Sequence, residues 1–247
     1  MSGPAPQAKL DPWSIVGRTS AAEAHLAVAL DLRELALQDI EEIATCRALR
    51  VCLLGANLLS QVGSAIFNCR RLQKLDLSGN GLTTLPPKTD WANLSDLLIL
   101  YLHDNHLAAL PAAGELIGCA MLLRLTLYGN PLAKHPSYRH YCVNTLISLR
   151  ALDLHVISDE ELIEGATFSD SFGTKCVASE LPVFAPPLAP PEGQGAAGPE
   201  PNDTALLANV QQEIRALNAA HARLSPVLRL QAAARAAGAR RRVRALR

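Results

Sequence analysis

The chain has 247 residues with 23 basic and 23 acidic side chains. A formal charge of zero argues against a role for the whole molecule as a polybasic nucleic-acid or membrane-surface binder. No apolar run approaches the roughly 20 residues that span a bilayer, and residues 1–9, rich in Pro and Gly, lack the basic start and apolar core of a secretory signal.

Residues 1–19 read as a flexible amino-terminal segment. Ser20-Ala21-Ala22-Glu23 has the form of a capping box. It predicts a short helix over the alanine-rich residues 24–30, placed to shield the first of a series of repeats. That first repeat is degenerate, with Leu30, Leu35, Ile40 and Ile43 as its apolar pegs and Gln38 where an asparagine is expected.

Residues 49–59, 72–82, 97–107 and 122–132 then repeat one pattern, L-x-x-[LC]-x-L-x-x-N-x-L. Asn57, Asn80, Asn105 and Asn130 mark the register at steps of 23, 25 and 25 residues. This is the signature of a leucine-rich repeat. The residues before each asparagine predict a short strand, and the asparagine amide is placed to bond backbone groups opened by the turn. No repeat can bury its leucine row alone, so neighbours must stack. The returning segments carry Val62, Ile66, Leu85, Leu94, Leu110 and Leu116. Pro86-Pro87 and Pro111 favour turns or extended chain there over long helices. The predicted fold class is α/β, a solenoid of about five repeats with a carboxy-terminal cap.

The cap is read from Pro136-Ser137-Tyr138-Arg139-His140-Tyr141, then Leu149-Arg150-Ala151-Leu152-Asp153-Leu154, then a second capping box, Ser158-Asp159-Glu160-Glu161. Residues 128–165 resemble the carboxy-terminal cap of the SDS22-like repeat class. The repeat domain is assigned to residues 20–175. The six cysteines of the chain lack C-x-x-C spacing, and Cys52 stands at a core leucine position, which points to free thiols in a reducing compartment and to no zinc.

Residues 176–203 hold most of the Pro and Gly of the carboxyl half and read as an extended linker. Residues 204–247 carry nine arginines against one acid, Glu213, a net charge of +8, so residues 1–203 carry −8. Acidic solenoid and basic tail can meet in cis, or the tail can seek an acidic partner. Leu207, Val210, Ile214, Leu217, His221, Leu224 and Leu228 step by alternating threes and fours, a heptad seam for a coiled-coil partner or a docking helix, with Asp203 or Thr204 as its cap. Pro226 interrupts the helix.

Leu230, Gln231, Arg235, Arg240 and Val243 fit the IQ pattern [FILV]-Q-x-x-x-[RK]-G-x-x-x-[RK]-x-x-[FILVWY], with Ala236 in place of the glycine. By resemblance to IQ helices, residues 230–243 imply binding of calmodulin or an EF-hand light chain. Leu230 would enter a lobe, Gln231 would bond the interhelical linker, and Arg235 and Arg240 would pair with acidic side chains. Repeats, cap, linker and IQ-like helix together resemble the leucine-rich-repeat and IQ-motif proteins, many of them ciliary. That resemblance implies a scaffold of a ciliary or flagellar axoneme or of the cytoskeleton. Two alternatives stay open: a nuclear RNA-processing protein similar to U2A-prime, and a phosphatase-regulatory subunit of the SDS22 kind. No Phe, Tyr or Trp follows Phe184, so the tail lacks the stacking platforms that single-stranded RNA needs.

No catalytic motif, metal site or cofactor site emerges, and the chain is expected not to be an enzyme. His103, Asp104 and His106 lie close in sequence, but His106 follows the turn asparagine, so they need not converge. The predicted site is the concave face, whose outward residues are Lys74, Asp76, Ile99, Tyr101, His103, Arg124, Thr126, Tyr128, Asp153 and His155. Tyr101 between Ile99 and Arg124 makes a binding hot spot for a protein partner.

Overall fold

The computed structural model describes residues 8–9, 15, 23–158, 161–162 and 203–224. In chain order the strands are β1 (Ala8–Lys9), β2 (Ala29–Asp31), β3 (Leu37–Asp39), β4 (Val51–Leu53), β5 (Lys74–Asp76), β6 (Ile99–Tyr101), β7 (Arg124–Thr126), β8 (Ala151–Leu152) and β9 (His155–Val156). Seven of them form one sheet in the order β2-β4-β5-β6-β7-β8-β9; β1 pairs with β3 beside it. Neighbours run parallel up to β8, and β9 folds back antiparallel.

Each strand contributes its middle residue to the interior. Leu30, Cys52, Leu75, Leu100 and Leu125 are all inaccessible, and the two residues flanking each of them point to the concave side. After the strand the chain bends inward, so Leu32, Leu54, Leu77, Leu102 and Leu127 also enter the core. The bend requires a left-handed residue just before the asparagine position: Glu34, Ala56, Gly79, Asp104 and Gly129 all have φ between 54° and 73°. Gly129 could not be replaced cheaply, because it stands at φ 73° and a Cβ there would lie 3.0 Å from the backbone nitrogen of Asp104.

The asparagines stitch one repeat to the one before. Asn105 Nδ2 donates to the carbonyls of Leu77, Leu102 and His103 at 3.0–3.2 Å, while its Oδ1 accepts from Leu82 N–H at 3.0 Å. Asn57, Asn80 and Asn130 make the corresponding bonds.

On the convex side the returning segments are 3-10 turns and one short helix, α1 (Lys88–Trp91). Pro111 stands near the start of a nine-residue 3-10 helix, Leu110–Gly118, where the sequence reading favours turns or extended chain; a proline in the first helical turn forgoes no helical hydrogen bond. Trp91 packs edge-on against Phe67 at 5.3 Å. Cys46, Cys69 and Cys119 each sit three residues before the first leucine of a repeat, buried and unpaired. Burial raises all three thiols, Cys69 and Cys119 to about 12, so they act as small apolar pegs. Cys176 lies outside the described residues.

The carboxy-terminal cap is α2 (Tyr138–Thr145) with the β8–β9 hairpin. Arg139 bonds Glu161 through Nε at 2.6 Å and Nη2 at 3.0 Å, and Glu161 Oε1 accepts from Ser158 N–H at 3.0 Å, the bond a capping box requires.

At the amino end the structure corrects the sequence reading. Ser20 lies outside the described residues, and the only helical turn described there is the 3-10 helix Ala24–Leu26. Residues 29–31 are a strand of the sheet, in register with residues 51–53. The register places Leu35, not Gln38, at the asparagine position, and Leu32 and Leu37 join the predicted Leu30, Ile40 and Ile43 as core pegs. Alanine's helix preference is outweighed by the adjacent strand and the core it closes. The linker, residues 176–202, lies outside the described residues.

Asn105→Ala is expected to lower stability by about 2–4 kcal/mol, since buried backbone groups lose their partner at roughly 1–3 kcal/mol each. Leu100→Ala, a core truncation, is expected to cost about 2–5 kcal/mol. Urea unfolding followed by far-ultraviolet circular dichroism measures both.

Candidate protein-binding site on the concave face

The concave surface begins as a row of side chains flanking each core residue. Ala29, Val51 and Leu53 make it apolar at one end and Ala151 at the other, and Lys74, Asp76, Tyr101, Arg124 and Thr126 surround Ile99 in a largely polar centre. A 22-residue helix, α3 (Asp203–Leu224), lies on it. Leu206 and Val210 pack with Ala29, Val51, Leu53, Ile99 and Tyr101, and Leu217 packs with Ala151 and Val156. The seam predicted for a coiled-coil partner or a docking helix is thus docked on the chain's own solenoid. It is rotated towards Leu206, with Leu207, Ile214 and His221 only half-buried. Leu228 lies outside the described residues.

Between the two apolar seats stands Glu213. Its carboxylate accepts a hydrogen bond from Tyr101 Oη at 2.5 Å, pairs with Lys74 Nζ through its other oxygen, and lies 3.5 Å from Arg124 Nη1. Both cations also face the Tyr101 ring, Lys74 Nζ at 5.0 Å and Arg124 Cζ at 5.5 Å from its centroid. Lys74 and Arg124 side chains are 7% exposed and Glu213 18%, so the cluster is largely shielded from salt. Burial, reinforced by the Glu213 charge, pushes the Tyr101 phenol far above its ordinary value. Towards the carboxyl end of α3, Arg150 bonds the Asn218 side chain.

Of the residues predicted for this face, Lys74, Ile99, Tyr101 and Arg124 therefore converge, under the helix. Asp76 accepts from Ser78 N–H and Oγ. His103 stacks on Tyr128 at 4.5 Å and its Nδ1 meets Thr126 Oγ1 at 2.8 Å; burial lowers its proton affinity. Asp104 and His106 are exposed beyond it, and among the described residues no group of His, Cys, Asp or Glu could hold a metal.

Two predicted residues belong elsewhere. Asp153 is at φ 57° in the hairpin turn, where its Oδ1 accepts from Leu127 and Tyr128 N–H at 2.7 and 2.9 Å and its Oδ2 from Tyr138 Oη. His155 pairs with the core residue Leu152, so it faces away from the concave side, and Val156, opposite Ala151, faces into it. The reversal of chain direction at the cap shifts the strand alternation from which both residues are placed. Leu230, Gln231, Arg235, Arg240 and Val243 lie outside the described residues.

Sequence reasoning misses Val51 and Leu53, although their signal is present: residues 51–54 are apolar without a break, which marks a strand covered on both faces.

Comparison with known proteins agrees with the architecture. Residues 71–91 match the Leucine Rich Repeat family. The described repeats have the leucine-rich repeat fold. It is 42% identical over 138 residues to the mouse leucine-rich repeat and IQ domain-containing protein 3, an alignment covering 56% of this chain and 22% of the relative. It is 39% identical over 80 residues to the bovine leucine-rich repeat-containing protein 51, covering 32% of this chain and 40% of that protein. The chain thus spans about a fifth of the length of the first relative. Among solved structures, one from the Drosophila melanogaster SNF/U2A' complex is similar over 54% of this chain and 76% of its own, at 26% identity and a TM-score of 0.49.

In this leucine-rich repeat solenoid, Glu213→Ala is expected to free α3 while leaving the repeats folded. Amide exchange within residues 203–224 should accelerate about 100-fold, the equivalent of roughly 3 kcal/mol for breaking a buried ion pair. Exchange in β4–β7 should not change. The Tyr101 shift also has a sign. The unfolded chain releases this proton near pH 10 while the folded chain keeps it, so stability is full below that pH and falls as pH rises further. Tyr101→Phe should flatten that alkaline decline in a series of thermal melts.

Proposed function

We propose that this chain is a non-catalytic scaffold of a ciliary or cytoskeletal assembly. Its concave face engages an elongated protein segment, and residues 230–243 recruit calmodulin or a similar EF-hand light chain. The observation that carries the reading is the concave face itself. It holds a whole helix through two apolar seats and one central carboxylate contact, a surface fitted to a macromolecular segment. The IQ pattern supports the second half, and a relative whose name carries an IQ domain is consistent with it.

Calorimetry tests the tail. A peptide of residues 225–247 is titrated with calmodulin, in calcium and in chelator. Replacing Leu230 and Gln231 by Ala should weaken binding about 10-fold or more, as anchor removal does, and replacing Arg241 and Arg242, which lie off the pattern, should weaken it much less. Equal sensitivity, or binding that disappears at moderate salt, would reduce the tail to a generic arginine-rich helix.

A further inference from the structure

We propose that the concave face is a receptor for one kind of helix, an amphipathic helix with a glutamate at its centre, and that α3 is its resident ligand, exchangeable for a partner helix of the same pattern. The inference rests on the concave face being the scaffold's partner site and names what that site reads.

The pattern is written in α3. Leu206, Val210, Glu213 and Leu217 face the sheet, at relative positions 0, 4, 7 and 11. These spacings keep four side chains on one stripe of a helix. The solenoid answers each of them. Ala29, Val51 and Leu53 receive the first two, and Ala151 and Val156 receive the last. The middle position is the selective one. Lys74 and Arg124 come from different repeats, β5 and β7, and Tyr101 comes from the strand between, so three donors from three repeats meet one carboxylate. A glutamine there would remove the negative charge that pairs with Lys74 and Arg124, and an aliphatic residue would also remove the acceptor of the Tyr101 phenol. The face therefore discriminates against apolar helices that its two ends alone would accept.

The chain is also built so that this ligand is a separable part. Arg139, Asn144, Ser158 and Glu161 tie the cap together without α3, while Glu213 and Asn218 of α3 bond Lys74, Tyr101 and Arg150 of the solenoid. The asparagine ladder and the leucine core use no residue of α3.

The test uses the full chain and a fluorescent peptide of residues 203–224. The variant Leu206→Asp with Leu217→Asp loosens the resident helix without touching the solenoid. It should bind the peptide about 30-fold more tightly than the unaltered chain does, and the peptide carrying Glu213→Gln should bind that opened chain about 30-fold more weakly, the scale of losing one partner of a buried pair. A folded opened chain that ignores the peptide, or that binds both peptides equally, would overturn the proposal. If the opened chain unfolds, hydrogen exchange of α3 in the unaltered chain decides: excess peptide should accelerate it, and no change would overturn the proposal. A concentration-dependent dimer of the unaltered chain, lost in the Leu206→Asp/Leu217→Asp variant, would overturn the cis arrangement and make a second copy the occupant. Because none of these measurements involves residues 230–243, their failure is distinct from failure of calmodulin binding.

Discussion

A strand of three residues that turns sharply into the core leaves carbonyls and N–H groups that no sheet partner can reach. They are buried, so each must be satisfied on the spot. One carboxamide per repeat does this, because it carries donor and acceptor on adjacent atoms and can face two repeats at once. The leucine core, the left-handed residue before each asparagine and the parallel register all serve to hold that amide in place. At the carboxyl end Asp153 Oδ1 accepts from Leu127 and Tyr128 N–H, where in earlier repeats, as for Leu77 and Leu102, a backbone carbonyl of the next strand accepts.

The repeats can be read from sequence because their physics is periodic: one residue type at one spacing, with pegs at fixed offsets. Where periodicity stops, the reading weakens for specific reasons. Residues 24–30 look helical in isolation, and the first strand is recognisable only through its neighbour. Asp153 and His155 are misplaced by continuing an alternation that the hairpin reverses. The register of α3 is legible to within one residue, since Val210 and Leu217 lie on the buried stripe, but its destination is not. A heptad seam shows that a face is apolar and says nothing about what covers it.

The site itself is half legible. Tyr101 and Arg124 stand out as an aromatic and an arginine in adjacent repeats, and they do meet. Charge reasoning inverts the sign locally. A basic tail is expected to seek an acidic solenoid, yet the contact at the centre joins the one acid of that tail to two cations of the concave face. Net charge over a segment governs long-range attraction; a buried contact is decided by the few groups that lose water there.

The ladder has a direction. Every asparagine reaches back to the repeat before it, and Asp153 does so for the last. Leu35, at the head of the array, offers nothing in return. Each turn is therefore a client of its successor and a supplier to its predecessor. Shortening the array from the front removes a client of the asparagines, although it also takes away carbonyls, such as that of Val28, that accept N–H groups of the next strand. Shortening it from the back removes a supplier and leaves an unmet demand in every turn that becomes the new end. The asparagine ladder, unlike the strand ladder, is in this sense one-way, and at the carboxyl end an aspartate side chain replaces the strand carbonyl that would come next.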